Sequence, residues 1–110
     1  MGQFGCNLQV KSAIMFLLEL TYKVSQAEVD ERMPAHAAYL NASHDRGEVI
    51  FAGYKSPRTG GLIVANFNDK TAVECFVHKD PFYLGHVADY RIVEFSPQLG
   101  KELFGAAVQA

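Results

Sequence analysis

"MFLLELTYK", residues 15 to 23, alternates like a strand: Phe16, Leu18, Leu20 and Tyr22 fall on one face, and Leu17, Glu19 and Thr21 on the other. A strand with one wet face alternates apolar with polar more cleanly than this. Leu17 stands beside Leu18, and "GLIVANF", residues 61 to 67, repeats the habit, with Ile63 and Phe67 as well as Leu62 and Val64. Both strands are therefore greasy on two sides, and the fold must find a cover for each side.

Outward from the first strand, Ser25 and Glu28 form an S-x-x-E capping box where a helix can begin. Pro34 then intrudes, and proline suits the first helical position better than an interior one. The pattern predicts a short turn near 26–32 and a main helix over 34–46, stopped at Gly47. "EVIFAGYK" (48–55) reads as a second strand, "SPRTGG" (56–61) as a turn, and 61–67 as a third strand. Asn68 or Asp69 caps a second helix over 70–79 with Ala72, Val73, Phe76 and Val77 on its apolar face, and Asp80-Pro81 ends it. After a connector, "DYRIVEF" (89–95) is the last strand. The order β-α-β-β-α-β predicts a ferredoxin-like α+β fold, an antiparallel sheet with two helices on one face. The helices cover one face only. A second copy is the expected cover for the other, giving a homodimer with two sheets face to face, further assembly being left open.

The chain divides into an N-terminal extension (1–14), the domain proper (15–97) and a C-terminal tail (98–110) with an apolar patch at Leu103 and Phe104. Its 110 residues suit one domain, and 49% apolar content is enough for a core. The net charge of -2, with no basic run, argues against nucleic acid as a partner. No apolar run approaches the length that spans a bilayer, and the first residues lack the plan of a secretory signal. Cys6 stands where a myristoylation pattern expects Ser or Thr. Two lone cysteines, Cys6 and Cys75, make neither a disulfide framework nor a zinc site, and a reducing, cytoplasmic setting is the simplest expectation, with Cys75 inert on its helix.

His36 is the first candidate for chemistry. With Pro34 at the first helical position, it lies in the first turn, where the dipole discourages imidazolium, and a neutral ring suits a general base or acid. Packing is the plainer reading of a lone histidine. Asp80, before proline at a helix end, is a natural turn or capping residue, and becomes an orienting carboxylate if it reaches the His36 ring. In the turn, Arg58 offers a fork for a carboxylate or phosphate, Ser56 and Thr59 add hydroxyls, and Gly60 and Gly61 permit close backbone approach. No Gly-Lys-Ser/Thr follows, so a solvated hairpin is the simpler reading. His44, His78 and His86 have no metal-site spacing, and no metal is expected. Tyr83 and Tyr90 read as core aromatics able to present a hydroxyl.

Taken together, P-A-H at Pro34–His36, P-R-T-G-G at Pro57–Gly61, D-P-F at Asp80–Phe82 and the closing "ADYRIVEF" resemble the YCII-related family over about residues 15–97. The resemblance implies a dimeric α+β barrel and an active-site pair matching His36 and Asp80. One branch of that family eliminates chloride from chlorinated hydroxyhydroquinones, and most members have no assigned reaction. Two readings follow. In one, the protein is a small enzyme, an isomerase or lyase without cofactor, in which His36 moves a proton on a small anionic or aromatic substrate, Asp80 orients the ring, and Arg58 and Ser56 hold the substrate. In the other, it is a non-catalytic dimer that binds a small molecule, and His36–Asp80 is a structural hydrogen bond.

Overall fold

A computed structural model describes residues 14–99; the readings of the leader with Cys6 and of the Leu103–Phe104 tail patch lie outside them. The element order is β1 (Met15–Tyr22), α1 (Gln26–Asp45), β2 (Val49–Tyr54), β3 (Gly60–Ala65), α2 (Lys70–His78), α3 (Pro81–Leu84) and β4 (Ala88–Phe95). The four strands form one antiparallel sheet in the order β2-β3-β1-β4. This is the expected ferredoxin-like arrangement, with one helical turn, α3, in the connector before the last strand.

The two faces of the sheet behave differently. Phe16, Leu18, Leu20, Ile63 and Ala65 are buried against Val29 of α1 and against Ala72, Val73, Phe76 and Val77 of α2. The opposite face carries Leu17, which pairs with Val64 and Val93, and Glu19, which pairs with Leu62 and Arg91. Glu19 meets Lys55 at 3.1 Å and Arg91 at 3.3 Å, while Leu62 is 40% exposed. The apolar residues of this second face have no cover within the described chain comparable to the helices.

One expectation about α1 is corrected. The helix is continuous from Gln26 and does not restart at Pro34. Ser25 accepts the Glu28 N–H at 3.2 Å, and Glu28 accepts the Ser25 N–H at 3.3 Å, so the capping box nucleates the whole helix. Pro34 cannot donate to the Asp30 carbonyl, but both residues are exposed, and water can satisfy that oxygen. At its far end the chain reverses through Gly47, whose φ of 84° lies in the left-handed region that glycine tolerates best. Asp69 caps α2 by accepting the Ala72 N–H at 2.9 Å. Cys75, on α2, is half-buried and disulfide-bonded, not the inert thiol expected. The expectation of a reducing compartment rested on unpaired thiols and loses that footing.

Candidate functional site

The continuity of α1 moves His36 from a helix end to mid-helix, so the helix dipole no longer acts on it. Its environment is instead set by what packs there. His36 is 7% exposed, and its ring stacks on Phe82 of α3 with centroids 3.9 Å apart and planes within 2°. Its Nδ1 lies 2.7 Å from Oδ1 of Asp80.

Asp80 is fully buried and occupies the N-cap of α3. Its Oδ1 accepts the Phe82 N–H at 2.9 Å, a role the local Asp-Pro sequence dictates: proline at the first helical position, an acid before it. The same oxygen reaches His36, and Oδ2 accepts the Tyr90 hydroxyl from β4 at 2.5 Å. The carboxylate thus ties α1, α3 and β4 together, and the capping and orienting readings of Asp80 hold at once. Burial, then the Asp80 charge, push the Tyr90 hydroxyl well above the usual tyrosine range.

A cavity of about 250 Å³ opens beside this pair, between α1 and the sheet end built from β1, β2 and β3. His36 and Phe82 form part of its wall, with Leu20, Met33, Leu40 and Tyr54. Because Nδ1 is engaged with Asp80, Nε2 is the nitrogen left for the cavity. Among the described residues it meets no hydrogen-bond partner, and it is not one of their shut-in, unpartnered buried atoms. An imidazole held at one nitrogen by a carboxylate, with the other facing an apolar hollow, can take and return a proton.

Of the remaining sequence candidates, Arg58 stands near the cavity and Ser56 does not line it. The Arg58 guanidinium lies 4.2 Å over the ring of Tyr54, a cavity residue, and 3.9 Å from Asp30. Ser56 is exposed in the β2–β3 turn. The glycines there serve the backbone: a Cβ on Gly60 would sit 1.8 Å from the Leu20 carbonyl oxygen, so β3 can close on β1 only without a side chain. His44 Nδ1 lies 2.8 Å from the Val49 carbonyl, and His78 packs on Tyr83. Among the described residues no three potential ligands gather for a metal ion. Sequence reasoning passed over Phe82 and Tyr54 and left Tyr90 as core; the D-P-F motif was the available signal for Phe82.

Fold and site define a ferredoxin-like α+β domain whose buried His–Asp pair abuts a cavity. The model of the YCII-related domain matches residues 15–96, and the chain belongs to that family. Among solved structures, the 5-chloro-2-hydroxyhydroquinone dehydrochlorinase TftG from Burkholderia phenoliruptrix AC1100, in complex with 2,5-dihydroxybenzoquinone, is 18% identical, with a TM-score of 0.64 over 80% of this chain and 97% of that one. SnoaB, a cofactor-independent oxygenase from Streptomyces nogalater, is 15% identical, with a TM-score of 0.44 over 77% of this chain and 92% of that one. The first likeness shows the fold. No curated protein matches the chain.

Proposed function

We propose that the protein is a small enzyme in which His36 performs acid–base chemistry on a small planar anion or aromatic, by isomerisation or elimination. One observation carries the reading: His36 is bonded to buried Asp80 at 2.7 Å through Nδ1 while its ring borders the cavity. Nε2 accepts a proton from an enolic or ring O–H or C–H, and the bonding pair moves into the ring. The proton then returns at another carbon, which is isomerisation, or a leaving group departs with its own bonding pair, which is elimination. Asp80 fixes the tautomer with hydrogen on Nδ1 and steadies the charge that develops on the ring. Apolar walls and the flat Phe82–His36 stack suit a planar substrate, and Arg58, above Tyr54, meets its negative charge. Neither reaction calls on an external oxidant. The 2,5-dihydroxybenzoquinone bound by TftG is a molecule of this shape and charge class.

The second sheet face belongs to the same proposal. Leu17, Leu62, Val64 and Val93 surround the ion-paired Glu19, and a second copy placing the same face against it buries all four. Sedimentation equilibrium at micromolar protein then gives twice the chain mass, and Leu62→Glu gives the single mass. A parent that sediments as a monomer removes the dimer from the account.

The catalytic test compares the parent with His36→Ala on a panel of chlorinated hydroxyquinols and enol lactones, reading chloride release and ring absorbance. Turnover by the parent with a loss of at least about a hundredfold in the variant supports the reading. Equal turnover by the two removes His36 from the mechanism. A parent that binds members of the panel with no turnover at all points to the non-catalytic ligand-binding reading.

A further inference from the structure

Asp80 is fully buried, and no lysine or arginine among the described residues pairs with it. Its charge is distributed over three donors: the His36 ring, the Phe82 N–H and the Tyr90 hydroxyl. The Phe82 N–H is fixed by the turn. His36 borders the cavity and belongs to the chemistry. Tyr90 does neither, for it is absent from the cavity wall. It lies on the helix-facing side of β4, opposite Leu20, and gives its hydroxyl to the one Asp80 oxygen that His36 does not touch.

We infer that Tyr90 is a positioning residue that draws charge onto Oδ2 of Asp80 and so sets how firmly Oδ1 holds a proton on His36. The inference rests on the proposed His36 chemistry and deepens it. A short hydrogen bond between a hydroxyl and a carboxylate in a low-dielectric site concentrates negative charge at the oxygen that accepts it. Less charge then remains on the oxygen facing the imidazole, and the imidazolium is stabilised less. Tyr90 thereby keeps His36 able to release a proton as well as to take one, as both proposed reactions require. Geometry suits a rigid setting: the β1–β4 ladder holds Tyr90 opposite Leu20, and its ring packs against Tyr83 with centroids 6.1 Å apart. Titratable and charged groups around the pair are Tyr39 of α1, which feels the Asp80 charge, Tyr83 of α3 and, behind it, His78 of α2, with Tyr22 of β1 edge-on to Phe82, Tyr54 of β2 in the cavity wall and Arg32 of α1 beside Gly85. None of these is seen hydrogen-bonded to Asp80 among the described residues; Tyr39 gives its hydroxyl to the Phe76 carbonyl.

The experiment is an NMR titration of the His36 ring, which needs no substrate. Tyr90→Phe removes the donor, and the midpoint moves up by the equivalent of an about tenfold gain in proton affinity. Because that variant leaves Oδ2 buried without a partner and can lose stability, a second replaces Tyr90 by 3,5-difluorotyrosine, which keeps the shape and is a stronger donor. Its midpoint moves down. Asp80→Asn serves as the reference and also moves the midpoint down. Opposite shifts in the two Tyr90 proteins support the inference. Midpoints that stay at the parent value, or move the same way in both, overturn it, and if Asp80→Asn still shifts the titration the His36–Asp80 pair stands. If Asp80→Asn is silent too, the pair and the role of Tyr90 fall together.

Discussion

Two carboxylates are buried in this domain, and they are held in opposite ways. Glu48 is 1% exposed and accepts Ser43 Oγ at 2.6 Å and the Arg46 guanidinium at 3.0 and 3.2 Å. All three residues lie within six positions, at the turn from α1 to β2, and the hydrogen bond to Glu48 holds Arg46 above even the usual guanidinium range. That charge is cancelled permanently and locally. Asp80 has no such cation. Its partners come from α1, α3 and β4, and the ionisable ring among them borders a cavity. A carboxylate neutralised by its sequence neighbours stitches a turn; a carboxylate whose charge leans on a titratable ring beside a hollow is arranged for proton transfer.

Substitutions that remove charge while keeping shape break this comparison most sharply. Asp80→Asn is expected to lower turnover about a hundredfold to ten-thousandfold on any substrate found in the His36 assay, because the amide no longer steadies the charged ring. Glu48→Gln is expected to leave turnover within about twofold. A Glu48 variant as damaged as the Asp80 variant would erase the distinction.

Truncation gives the next largest effect. Asp80→Ala leaves the Phe82 N–H, the Tyr90 hydroxyl and the His36 ring without their acceptor, a cost of about 3 kcal/mol in urea unfolding. Glu48→Ala costs about 1 to 2 kcal/mol, since the Ser43 hydroxyl is stranded but the half-exposed Arg46 returns to water.

Alkali reads the phenols around the Asp80 site, of which Tyr39 also feels the Glu48 charge. Burial and the Asp80 charge raise both Tyr39 and Tyr90 above the ordinary 10.0. Past about pH 10 an unfolded chain gives up these phenolic protons while the folded protein keeps them, so the unfolded state binds fewer protons and stability falls as pH rises. Tyr39→Phe and Tyr90→Phe each flatten that decline in urea melts taken between about pH 9 and 11.

Glu19, one-third exposed on the second face of the single chain and away from the cavity wall, is a third carboxylate for comparison. Its bond to Lys55, then that to Arg91, lower it from 4.5, so its contribution is present above that value and lost as pH falls through the lowered one. Glu19→Gln removes a small acid-side dependence of the urea midpoint and leaves turnover intact.

The sequence made the frame readable because each strand and the second helix carry local instructions: alternation in β1, Asp69 as a cap, an apolar stripe at Ala72, Val73, Phe76 and Val77. Pro34 misled because proline's cost depends on which side of a helix it faces, and sequence does not reveal that side before the helix is packed. His36 and Asp80 were legible as residue types and by resemblance, but their contact spans 44 positions and follows from packing alone. Tyr90 was opaque for the same reason, since nothing in "ADYRIVEF" says that its hydroxyl meets an acid ten residues back.

The most direct test is a crystal structure of the protein soaked with 2,5-dihydroxybenzoquinone. The account predicts the ring in the cavity beside Phe82, with one of its oxygens about 2.6 to 3.2 Å from His36 Nε2 and Asp80 still on Nδ1. A ring bound elsewhere, or a His36 whose Nε2 is capped by a protein group while the cavity stays empty, would contradict it.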